Sequence, residues 1–151
     1  MPVTDGQVAA LRALLAGDLE RHRLLYARLG VDQALAGYTA LVTGAFSEAV
    51  ERRFGANYRP SDVITFVGDV RARADQIAES LDPAAAERVI RAVFGDGSVR
   101  DLRDVTVVSA QIVLLGALIA DERLDDAGLD AFLADARRLA DRLMAGSLPA
   151  H

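Results

Sequence analysis

The sequence contains no cysteine, no lysine and no tryptophan, and it has two histidines. Without cysteine the chain can form no disulfide, no iron–sulfur cluster and no thiolate nucleophile. Without lysine it lacks the amine needed for a Schiff base and the lysine of a phosphate-binding P-loop. Because so few of the side chains that catalysis uses are present, we expect a protein that is not an enzyme and that binds no cofactor.

Positive charge is also in short supply. The 17 basic residues are all arginine, and they are outnumbered by 22 acidic residues, for a net charge of −5. A nucleic-acid-binding protein needs cationic surface to displace the counterions of the phosphates, so we expect no nucleic-acid partner. Hydrophobic residues make up 52% of the chain, which excludes intrinsic disorder.

Hydrophobic residues recur every three to four positions, which is typical of amphipathic helices, and no segment alternates as a strand would. Glycines and an Asp-Pro pair divide this pattern into segments. The sequence therefore predicts a single all-α domain over residues 1–146, followed by a frayed tail at 147–151. The domain is a bundle of about six helices, at about 5–29, 33–54, 60–81, 83–94, 99–122 and 124–146.

The fifth predicted helix, at about 99–122, is apolar on all sides. Its stretch Val105–Ala120 contains no charged residue, although charged residues flank both ends. We interpret the stretch as too short for a membrane span and expect the helix to lie at the centre of the bundle. The protein is accordingly expected to be cytoplasmic, with no membrane partner.

One flank of the second predicted helix carries small residues, namely Gly37, Ala40, Gly44 and Ser47. These residues would allow a neighbouring helix to approach closely, either within the fold or across a dimer. The high apolar content, combined with only 5% aromatic residues, also predicts an apolar face for self-association. A homodimer is the expected assembly.

His22 is the most pointed functional candidate, because it falls within the apolar arc of the first predicted helix with Asp18 one turn earlier. The two side chains could form a hydrogen-bonded acid–base pair, or two ligands of a metal site completed by carboxylates such as Glu48 or Glu51. We favour a simpler interpretation without metal, in which His22 is a core or interface histidine bonded to Asp18 or to a backbone carbonyl.

A second candidate site is the segment 52–59, which holds three arginines and two aromatic residues. Arg52, Arg53, Tyr58 and Arg59 could bind an acidic ligand or a protein partner, because guanidinium groups bind carboxylates and phosphates. The alternative is a structural role, since cations in the last turn of a helix are stabilised by its dipole.

Two functions remain open. The leading hypothesis is a non-enzymatic interaction or regulatory module that self-associates. The alternative is a small-molecule-binding bundle whose apolar pocket is lined by His22, Asp18, Tyr26 and Tyr38. A ligand of that pocket would be small and apolar or acidic.

Overall fold

A computed structural model describes residues 2–146, apart from the side chains of residues 33–35. No strand occurs in these residues, and the all-α fold class is confirmed. A π-helix (Ala34–Tyr38) and a 3-10 helix (Gly55–Asn57) accompany the α-helices. The α-helices are α1 (Asp5–Leu15), α2 (Leu19–Arg28), α3 (Val31–Gln33), α4 (Thr39–Phe54), α5 (Pro60–Arg71), α6 (Asp75–Ser80), α7 (Pro83–Val93), α8 (Asp104–Glu122) and α9 (Asp126–Gly146).

The chain divides into two compact units. The first is formed by residues up to 48 together with those from 119 onward, and the second by residues 49–118. The single domain over residues 1–146 stays a prediction, and the tail at 147–151 lies outside the described residues.

The first predicted helix, at 5–29, is wrong as an uninterrupted helix, because the chain turns between α1 and α2. Gly17 adopts a φ of +83°, which favours glycine, and Asp18 caps α2 by accepting a hydrogen bond from the backbone N–H of Arg21. No residue of α2 is buried. Tyr26, expected to line an apolar pocket, is exposed over 39% of its surface.

The third predicted helix, at 60–81, is also interrupted. Residues 72–74 separate α5 from α6, and the half-buried Arg71 donates hydrogen bonds of 2.9 Å to the carbonyl oxygens of Ala78 and Leu81. The fifth helix begins at Asp104 rather than near 99, because Arg88 binds the Ser98 carbonyl and the Asp101 carboxylate in the preceding segment. The number of six helices is therefore not confirmed.

Glycines on the flank of small residues predicted for the second helix form close contacts within the first unit. A Cβ on Gly44 would lie 2.8 Å from the carbonyl oxygen of Ala136 and 3.2 Å from the Cβ of Ala140, so α4 and α9 cross in close contact. Gly37 packs against the buried side chain of Gln7, which forms a capping box with Thr4 at the start of α1. The close approach predicted for the flank thus occurs inside the fold.

Helix α8 is apolar on all sides but only about a third buried. Its buried face carries Leu114, Leu115 and Leu118, whereas Val105 is exposed over 59% of its surface. Among the described residues, Asp104–Glu122 is the one helix long and apolar enough to cross a membrane by length and composition, a test that core helices of soluble proteins also pass. Its predicted position at the centre of the bundle is not confirmed.

Candidate functional site

The structure brings together three of the four residues of the predicted pocket. His22 and Tyr26 project from α2, and Tyr38 ends the π-helix. The ring centres of Tyr26 and Tyr38 lie 5.1 Å apart in an edge-on arrangement, and that of His22 lies 5.8 Å from Tyr26 and 6.3 Å from Tyr38. All three distances fall in the range of favourable aromatic contacts. We call these residues the aromatic cluster.

Of the two hydrogen-bond partners considered for His22, the structure shows a backbone carbonyl and not Asp18. The His22 Nδ1 atom lies 2.8 Å from the carbonyl oxygen of Ala10 in α1. Because a carbonyl can only accept, Nδ1 carries the proton and Nε2 is left as an acceptor in the neutral ring. Asp18 instead caps α2. The described residues contain no group of three side chains that could hold a metal ion.

Tyr38 is the buried member of the aromatic cluster, with 6% of its surface exposed. Its hydroxyl has no hydrogen-bond partner among the described residues. Burial, and to a lesser degree the neighbouring Tyr26, raises the pKa of Tyr38 far above its usual value, so the hydroxyl remains a proton donor. An unpaired donor at this depth costs stability unless something binds to it.

The Tyr38 hydroxyl provides a direct prediction. Phenylalanine keeps the ring contacts and removes the unsatisfied group, so Tyr38→Phe is expected to raise the free energy of unfolding by about 1 kcal/mol. Tyr26→Phe is the matched control, since the Tyr26 side chain is partly exposed, and it should change stability by less than about 0.5 kcal/mol. Urea unfolding of both variants would measure the difference. A loss of stability in Tyr38→Phe would show that the hydroxyl has a partner in solution.

The residues of the arginine segment lie in different surroundings. The Arg53 guanidinium lies over the ring of Phe66, 4.9 Å from its centre, beside a groove of about 330 Å³. Asp62 and Asp69 also line that groove, and Arg59 forms an ion pair of 3.1 Å with Asp62. The groove therefore carries charges of both signs, which does not favour an acidic ligand. Arg52 lies exposed in the last turn of α4.

Tyr58 belongs to a different group of residues. Its hydroxyl donates a 2.6 Å hydrogen bond to the Asp96 carboxylate, and its ring stacks on Phe94 with centres 4.3 Å apart. Arg91 binds both oxygens of Asp96 at 3.2 Å. Arg91, followed by the bond from Tyr58, lowers the pKa of Asp96 below its usual value. This arrangement closes the turn between Gly95 and Gly97 and has a structural role.

The Asp96 bonds predict a pH dependence. The pKa of Asp96 is lower in the folded chain than in the unfolded chain, where it is about 3.9. The contribution of Asp96 to stability is therefore fully present at a pH above the unfolded pKa, and it is lost as the pH falls through the folded pKa. Wild-type stability should therefore fall more steeply below about pH 4 than that of Asp96→Asn. Urea unfolding midpoints of both proteins, measured as a function of pH, would show this difference in slope. Arg91→Gln should remove most of the same slope, and parallel curves for all three proteins would contradict the assignment.

Sequence reasoning missed a further surface, which lies on α8. Val105, Ser109, Gly116 and Ala120 are exposed, and Ile112 and Val113 between them are half-buried. At 100° per residue these six residues occupy one arc of roughly 100°, opposite the buried leucines. We call this arc the α8 stripe. A signal for it was present in the sequence, since a helix that is apolar all round has more than one face to cover.

Comparisons with models of protein families, with curated proteins and with solved structures find no match to this chain.

Proposed function

We propose that the protein is a non-enzymatic interaction or regulatory module that works as a homodimer in the cytoplasm. The observation that supports this proposal is the partial burial of α8. A helix with no charged residue over Val105–Ala120 exposes one apolar arc while it buries the opposite one. An exposed apolar surface of this kind favours association, because covering it removes apolar area from water.

This proposal also gives the predicted central position of α8 a physical meaning. In one chain the helix has a single covered face. In the dimer its second face is covered as well, so α8 becomes central to the assembly.

Sedimentation equilibrium of the untagged chain across the micromolar range tests the proposal. We expect a reversible monomer–dimer equilibrium, with the apparent mass rising to that of two chains. A mass that stays at one chain throughout the range would contradict it.

The second candidate function is the binding of a small molecule at the aromatic cluster, and the unpaired Tyr38 hydroxyl favours it. The buried donor could bond to a carboxylate or carbonyl oxygen of an apolar ligand, and the His22 ring lies next to that of Tyr38. Short- and medium-chain carboxylic acids are suitable probes in a thermal-shift experiment. A shift with wild-type protein that Tyr38→Phe abolishes would support this function, and the absence of any shift would count against it.

A further inference from the structure

We infer that the α8 stripe packs against the same stripe of a second copy, with the two helices antiparallel. The inference rests on the proposed self-association and adds to it that the stripe pairs with itself and in the antiparallel sense. The occupant is thus a second copy of this chain.

The α8 stripe is symmetric about its midpoint. A two-fold axis between Ile112 and Val113 places each stripe residue opposite another. Val105 then faces Ala120 of the second copy, and Ser109 faces Gly116. A larger residue meets a smaller one at the outer pair, and at the inner pair a Cβ on Gly116 would meet nothing within its own chain. An isologous dimer needs this kind of self-complementary surface.

Charge at the two ends of α8 favours the antiparallel sense. The C-terminal end carries Asp121 and Glu122 before Arg123, whereas at the N-terminal end arginines at 100 and 103 alternate with aspartates at 101 and 104, so that end is balanced. Parallel pairing would place the two acidic ends side by side. Antiparallel pairing separates the two acidic ends and places each beside the balanced end of the other copy, and it also aligns the helix dipoles favourably.

A groove adjoins the stripe and widens the surface that a partner could contact. This groove of about 280 Å³ opens beside α8. It shares Val105 and Ser109 with the stripe and is also lined by Leu81 and Ala85. In the antiparallel pair the C-terminal end of the second α8 arrives at this groove. The surface available to the partner is therefore wider than one helix, as a specific interface requires.

A pair of glycine variants tests the inference. Gly116 lies on the stripe and Gly68 on α5, and both are exposed positions within helices where a Cβ meets nothing. Gly116→Glu places a carboxylate in the proposed contact, and we expect it to weaken dimerisation at least about 30-fold in sedimentation velocity. Gly68→Glu adds the same charge and the same helix propensity elsewhere and should leave the dissociation constant within about twofold.

The outcomes separate this inference from the proposed function. A wild-type dimer that Gly116→Glu weakens and Gly68→Glu does not supports the α8 pairing. A wild-type dimer that both variants leave unchanged overturns the α8 pairing while self-association stands. A wild-type chain that is monomeric at every concentration overturns both. Circular dichroism of each variant confirms that a loss of dimer is not a loss of fold.

Discussion

Replacing Gly44 with alanine is expected to lower the free energy of unfolding by about 3 kcal/mol. The added Cβ would lie 2.8 Å from the Ala136 carbonyl oxygen and 3.0 Å from the Ala140 backbone nitrogen. Both are main-chain atoms of α9, so the clash can be relieved only by moving one helix away from the other. Such a shift opens the contact between α4 and α9 and loses close packing along it.

Gly68→Ala is the matched control for this substitution. Gly68 lies within α5, is exposed, and has nothing within 4 Å of an added Cβ. Because alanine is the better helix former, this variant should gain about 0.5–1 kcal/mol. Thermal unfolding should thus move the two variants in opposite directions, with a melting temperature for Gly44→Ala roughly 10 °C below wild type. Equal shifts for both would show that α4 and α9 are not in close contact.

Replacing Arg71 with glutamine is expected to cost about 2 kcal/mol and to loosen α6. Helix α6 is six residues long, has no side chain capping its N-terminus and buries no residue. The two hydrogen bonds from Arg71 reach the carbonyl oxygens of Ala78 and Leu81 at its C-terminal end, where the helix backbone has no partners of its own. Glutamine is too short and has too few donors to replace both.

Hydrogen exchange would locate the effect of Arg71→Gln, since the amides of residues 75–81 should exchange faster than in wild type. Arg59→Gln is the control, because Arg59 forms an exposed ion pair with Asp62. Exposed pairs contribute little, so this variant should change stability by less than about 0.5 kcal/mol. Unchanged exchange in α6 of Arg71→Gln would refute the capping role.

The helical class and much of the core were predictable because apolar periodicity reports directly on burial. Phe46, Phe66, Ile90 and Phe132 lie within the apolar pattern of their segments, and all four are buried. The predicted end of the last helix at Gly146 also agrees with α9. These elements are long or strongly patterned, and for such elements local preference and tertiary packing agree.

The helix interruptions were harder to predict, for two different reasons. Gly17 followed by Asp18 is a recognisable signal for the end of one helix and the start of the next. The three-to-four-residue spacing of apolar residues continues across this pair, however, and for that reason the sequence predicted one uninterrupted helix. Residues 72–74 are Ala-Arg-Ala, which are good helix formers. The residues at 72–74 therefore give no local reason for α5 to end there. The break coincides with the hydrogen bonds from Arg71 to the carbonyl oxygens of Ala78 and Leu81.

The residues of the candidate sites could be identified from the sequence, but their hydrogen-bond partners could not. His22, Tyr26 and Tyr38 do meet, yet the Ala10 carbonyl that binds His22 comes from a helix the sequence had joined to α2. Tyr58 was grouped with arginines that are its neighbours in sequence, whereas its bond is to Asp96. Long-range pairing of this kind depends on how the helices pack, which periodicity does not report.

Disulfide cross-linking measures the antiparallel pairing of α8 most directly, because the chain has no cysteine of its own. Single variants S109C and G116C would be oxidised separately and as an equimolar mixture. In the proposed pair, position 109 lies opposite position 116 of the other copy, while identical positions are roughly 10 Å apart along the helix axis, too far for a disulfide. Antiparallel pairing of α8 predicts a covalent dimer in the mixture and almost none in either variant alone. Cross-linking of each variant with itself at the rate of the mixture, or none in any sample, would contradict it.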